Sequence, residues 1–92
     1  MQVTRQDPPK ITFPCDDYVI KVVGDVHEGF KPFVHSILVR YDARLYESSF
    51  SVSTSRNGRF ESLTVRMRIE HEDHLTELFE ALKADERVRM VL

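Results

Sequence analysis

Four histidines, one cysteine and fifteen carboxylates are the side chains able to do chemistry in this chain. Their spacing limits what that chemistry can be. His71 and His74 stand three apart with Glu70 and Asp73 beside them, which puts two ligand types on one helical face. No cysteine pair or third ligand accompanies them, and acids at a helix start suit the helix dipole, so no metal and no cofactor is expected. His27 lies next to Asp25 and Glu28 in the manner of a tuned base, yet no nucleophile or oxyanion loop comes with it. It reads as a loop histidine within reach of a ligand. His35 falls off the apolar stripe of its segment and is expected in solvent. Cys15 is followed by Asp16 and Asp17, so it reads as structural rather than nucleophilic, and a lone cysteine suits a reducing compartment. The chain therefore reads as a binding protein and not an enzyme.

The elements that position these residues follow from periodicity. Phe50, Val52 and Thr54 alternate on one arm, and Leu63, Val65, Met67 and Ile69 on another, with Asn57-Gly58 between them. This predicts a β-hairpin closed by a two-residue type I′ turn. Tyr18 to Val23 reads as a first strand. Phe30, Phe33, Val34, Ile37, Leu38 and Tyr41 recur at helical spacing, with Pro32 in the first turn, where its missing N–H costs nothing. Leu75, Leu78, Phe79 and Leu82 form a second helical stripe, and Arg87 to Leu92 a closing strand. The order is β-α-β-β-α-β. It predicts an α+β, ferredoxin-like fold with two helices on one face of a four-stranded antiparallel sheet in order 4-1-3-2. Residues 13–92 make one domain behind a flexible tail, residues 1–12. No apolar run reaches membrane-span length and the N-terminus lacks a signal-peptide core, so a cytoplasmic location is expected.

Two candidate sites follow. The loop Gly24-Asp25-Val26-His27-Glu28-Gly29 is bracketed by glycines and enters a helix directly, so Gly24, Asp25, His27 and Gly29 are candidates for holding a small carboxylate effector at the helix start. The second site is electrostatic. Thirteen Lys and Arg against fifteen Asp and Glu leave a formal charge of −2, which gives no global attraction to nucleic acid or anionic membrane. Local segregation is another matter. If Ile20, Val22, Leu63, Val65, Val88 and Met90 face the helices, then Lys21, Arg66, Arg68, Arg87 and Arg89 project from the open face, with no acid beside them in those strands. Such a face would dock an acidic protein or a phosphate backbone, or be hidden in a homodimer through Val19, Val23 and Val91. Sequence-specific RNA binding is disfavoured, since Arg59 to Val65 lacks the aromatic run that the RRM needs.

The blocks FPCDDYVIKVVG at 13–24, SVSTSRNGRFESLTVRMRI at 51–69 and VRMVL at 88–92 resemble the YbeD family of small bacterial proteins. The resemblance spans nearly everything after the tail. It implies an ACT-like, ferredoxin-like fold in which Gly24 ends the first strand, Ser55 to Gly58 makes the hairpin turn, and Arg89-Met90 belongs to the closing strand. It also implies a regulatory or ligand-binding role, because members carry a lipoate-regulatory label drawn from gene neighbourhood and fold analogy. No catalytic residues come with it. One departure is His71-Glu72-Asp73-His74 at the second helix start, where a capping Thr or Ser is more typical.

Overall fold

The computed structural model describes residues 12–92, so the tail expected over residues 1–12, Thr12 apart, lies outside the described residues. In chain order come β1 (Cys15–Asp25), α1 (Phe30–Leu38), a 3-10 turn (Glu47–Ser49), β2 (Ser51–Thr54), β3 (Phe60–Ile69), α2 (Glu72–Lys83) and β4 (Val88–Val91). The strands pair antiparallel in the order β2-β3-β1-β4, which is the expected topology. Alternation explains the layering. Ile20 and Val22 of β1 and Leu63, Val65, Met67 and Ile69 of β3 turn to one face, where Phe30, Val34, Ile37 and Leu38 of α1 and Leu78 and Leu82 of α2 close a fully buried core. Each such side chain contributes roughly 1.5–3 kcal/mol by leaving water. Phe13 pins the lead-in by stacking near Tyr18, ring centroids 6.4 Å apart.

Two details differ from the sequence reading. Gly58 is left-handed, with φ of 72°, but Asn57 is not, so the type I′ turn does not form. Instead Gly58 N–H bonds the Ser55 carbonyl at 2.9 Å and Ser55 N–H bonds that of Phe60 at 2.8 Å, leaving a four-residue loop. The Asn57 side chain holds it, its Oδ1 accepting from Arg59 N–H at 3.0 Å and from the Ser55 hydroxyl at 2.9 Å. Those side-chain bonds fix Asn57 at negative φ and take over the work expected of its backbone. The register is the same as a two-residue turn would give, with Ser53 opposite Ser62.

The closing strand carries the second correction. A bulge separates the pair Gly24–Val88 from the pair Val23–Met90. One extra residue inverts the alternation beyond it. Met90 therefore faces away from the helices, half exposed at 51%, and Val91 takes its place in the core.

Candidate functional site

The loop candidates gather at the start of α1, but their groups are already engaged. β1 runs through Asp25, so Gly24 and Asp25 are strand rather than loop residues. A Cβ on Gly24 would meet the Phe30 ring at 2.4 Å and the Arg87 carbonyl at 2.6 Å, so the space beside Gly24 is filled by the protein itself. Asp25 accepts two hydrogen bonds from the Arg89 guanidinium, at 2.9 and 3.1 Å. His27 Nδ1 accepts the Gly29 N–H at 2.9 Å, which spends the amide nearest the helix end. Arg87 closes this corner. Its guanidinium grips Asp85 through two bonds at 3.0 and 2.9 Å and lies 5.1 Å over the Phe33 ring. Arg87 thus sits on the helix side, because it precedes β4 and follows the turn out of α2; the expectation of an open-face Arg87 is corrected.

The open face is also less basic than its strands suggested. The longer β1 adds Asp16 and Asp25 to the sheet, and these acids hold Arg68 and Arg89 respectively. Glu70 lies 3.5 Å from Arg68 as well. Lys21 and Arg66 remain without a carboxylate partner among the described residues.

Arg66 lines an open groove of about 390 Å³ together with Val19, Ser49, Ser51, Thr64 and Val65. The groove arises where two strands end unequally. Because Phe60 bonds toward Ser55, alternation points the backbone groups of Ser62, Thr64, Arg66 and Arg68 away from β1 and toward β2. β2 begins at Ser51, opposite Thr64, so its ladder stops one step before Arg66. The next such amide, Arg68 N–H, is taken by Asp42 Oδ2 at 3.0 Å. Arg66 N–H is left between them with no partner among the described residues. A guanidinium, a spare amide and three hydroxyls bordering one groove are donors for a carboxylate or phosphoryl oxygen.

Several residues differ from their expected roles. His35 is half-buried rather than solvated, its Nε2 2.8 Å from the Leu45 carbonyl and its ring edge-on to Phe50. His71 caps α2, Nδ1 accepting from Asp73 N–H at 3.1 Å, and so replaces the Thr or Ser that such a position favours. His74 packs 5.5 Å from Tyr41, and no group of three or more His, Cys, Asp or Glu side chains able to hold a metal forms among the described residues. Asp42 is the residue sequence reasoning missed. It is 7% exposed, accepts from Arg44 N–H, the Arg44 guanidinium and Arg68 N–H, and its carboxyl is lowered to about 2, chiefly by the bond from Arg44. The available signal was the spacing Asp-x-Arg, which recurs at Asp85-Glu86-Arg87.

Comparison with known proteins gives a consistent picture. A family profile described as "Protein of unknown function (DUF493)" matches residues 8–92. A UPF0250 protein of Azotobacter vinelandii is 40% identical over 92 residues, covering 100% of both chains. A UPF0250 protein of Pseudomonas aeruginosa is 42% identical over 85 residues, 92% of this chain and 91% of its own. Among solved structures, protein HP0495 of H. pylori superposes with a TM-score of 0.70 at 22% identity, over 100% of this chain and 96% of that one. The ACT domain of GTP pyrophosphokinase from Chlorobium tepidum superposes with a TM-score of 0.57 at 17% identity, over 83% and 96%. These likenesses establish an ACT-like, ferredoxin-like fold. No helix among the described residues is long and apolar enough to cross a membrane.

Proposed function

The chain belongs to the DUF493 family, and from that premise we propose that it is a non-catalytic regulatory domain that recognises a carboxylate on the open face of its sheet. The observation that carries this reading is the groove at Arg66, where a guanidinium and a backbone amide are both unspent. The glycine-bracketed loop supports it less well, since Asp25, His27 and Gly29 satisfy one another or Arg89. A phosphate backbone is a weaker partner for the open face. Arg68, Arg87 and Arg89 already hold carboxylates, which among the described residues leaves Lys21 and Arg66 of the five expected cations to neutralise phosphates.

Lipoate, the carboxylate implied by the family resemblance, is the first ligand to try. Amide NMR spectra recorded with added lipoate, octanoate and acetate should show saturable shifts at Val19, Ser51, Thr64 and Arg66, lost in Arg66→Gln. Shifts confined to residues 24–31 would move the site to the loop. An absence of shifts at millimolar ligand would sink the carboxylate reading.

A further inference from the structure

The two edges of the sheet are built differently. At one edge β4 carries a bulge, and Arg89 there is tied to Asp25. Bulges and charges are the usual protection of an exposed edge. At the other edge β2 is Ser51-Val52-Ser53-Thr54, without charge, proline or register shift. All four residues are exposed, Val52 at 49% although it stands opposite the buried Leu63. The ladder uses the backbones of Ser51 and Ser53, in step with Ser55, so the N–H and C=O groups of Val52 and Thr54 point outward. This edge also ends at the groove. A chain lying along β2 and continuing past Ser51 reaches the step beside Arg66.

We propose that β2 accepts an extended acidic segment of a partner protein as a fifth strand, with Val52 and Thr54 supplying backbone bonds and a carboxylate side chain entering the groove at Arg66. The proposal rests on the carboxylate reading of that groove. Charge selects the occupant. Arg56 and Arg59 flank one end of the edge and Arg66 the other, and none has an ion pair among the described residues. A second copy of this chain fits poorly. Antiparallel pairing of two β2 strands through Val52 and Thr54 lays Ser55 and Arg56 of one copy along the approach to Arg66 of the other and brings no acid to it. The fitting segment alternates, with acids on the open-face side and apolar residues on the side of Val52.

The test uses the full chain and a synthetic eight-residue peptide of alternating Glu and Val, with an alternating Lys and Val peptide as its counterpart. The acidic peptide should slow hydrogen exchange at the Val52 and Thr54 amides and bind at least tenfold more tightly than the basic one. Val52→Pro deletes an outward N–H without removing a ladder bond, so it should keep the native spectrum elsewhere and weaken peptide binding at least tenfold. If that variant fails to fold, Thr54→Pro makes the same deletion. Peptide affinity unchanged by the proline overturns the proposal. So does protection of the same amides that rises with protein concentration in the absence of peptide, which would mark a second copy as the occupant. Arg66→Gln separates the two readings: a several-fold loss of affinity with the exchange pattern retained supports the groove. Full affinity in that variant, beside a proline variant that does not bind, overturns the groove and leaves the strand addition standing.

Discussion

Each helix is followed by the same three-residue corner, and the two corners are put to different uses. Asp42-Ala43-Arg44 follows α1 and Asp85-Glu86-Arg87 follows α2. In both, the aspartate accepts the backbone N–H two residues on and grips that residue's guanidinium through two bonds. In both, the aspartate carbonyl takes the N–H of the next residue, Leu45 or Val88, at 3.1 Å. The surroundings then diverge. The Asp42 side chain is 5% exposed and also caps the sheet at Arg68 N–H, while Arg44 is 71% exposed. At the second corner the two exposures are close, 30% for Arg87 and 22% for Asp85, and Arg87 lies over Phe33 beside Gly29. One local device can thus anchor a sheet edge through its acid or cover a helix start through its base.

The largest expected effect comes from breaking the acid. Asp42→Ala leaves Arg68 N–H at the sheet edge without its acceptor and should cost about 3 kcal/mol by chemical denaturation. Asp85→Ala should lower Tm less, because Arg87 then turns to water and no strand amide is orphaned. Equal losses would mean that the corners are equivalent and that Arg68 N–H contributes little.

The comparison also shows what was legible in the sequence. Periodic apolar positions such as Ile20, Leu63 and Leu78 marked the strands and both helices, because burial on one face dictates repeats of two or 3.6 residues, and the order of those elements along the chain gave the strand order. The bulge at β4 left no such trace. A single inserted residue moves Met90 out and Val91 in, and both are apolar. Charges were harder still. Arg66, Arg68 and Arg89 look alike in the sequence, but the acids that distinguish them lie far off in the chain or beyond the expected strand end, at Asp16 and Asp25. The groove depends on where β2 begins relative to Arg66, which is a property of pairing and not of residue type.

Acid titration next tests what the two corners share. Hydrogen bonds from their arginines lower both aspartates to about 2 from the ordinary carboxylate value of 3.8. A carboxyl depressed in the folded state stabilises the fold fully above its unfolded pKa and loses that contribution as pH falls through the folded value. Stability should therefore fall between roughly pH 4 and 2, with Asp42 contributing about 2 kcal/mol of the loss. Because the two shifts are alike, Asp42→Asn and Asp85→Asn should flatten this part of the profile by similar amounts. A wild-type profile level across that window would show that neither fork acts on the fold.

The smallest effect tests the bases. Arg44→Ala removes a side chain that is mostly in water and leaves Asp42 still bonded to two backbone amides, those of Arg44 and Arg68. Tm should fall modestly, because the guanidinium bonds that lower the Asp42 carboxyl are lost while the backbone bonds remain. Arg87→Ala removes the cation over Phe33 and uncovers the approach to Gly29 as well as the Asp85 fork, so its Tm should fall further. Arg87→Lys keeps the charge but loses the planar fork, and should lie between alanine and wild type if geometry as well as charge holds the corner. A lysine variant as stable as wild type would reduce the second corner to simple charge pairing, and the first corner would then stand alone as the one whose shape the fold requires.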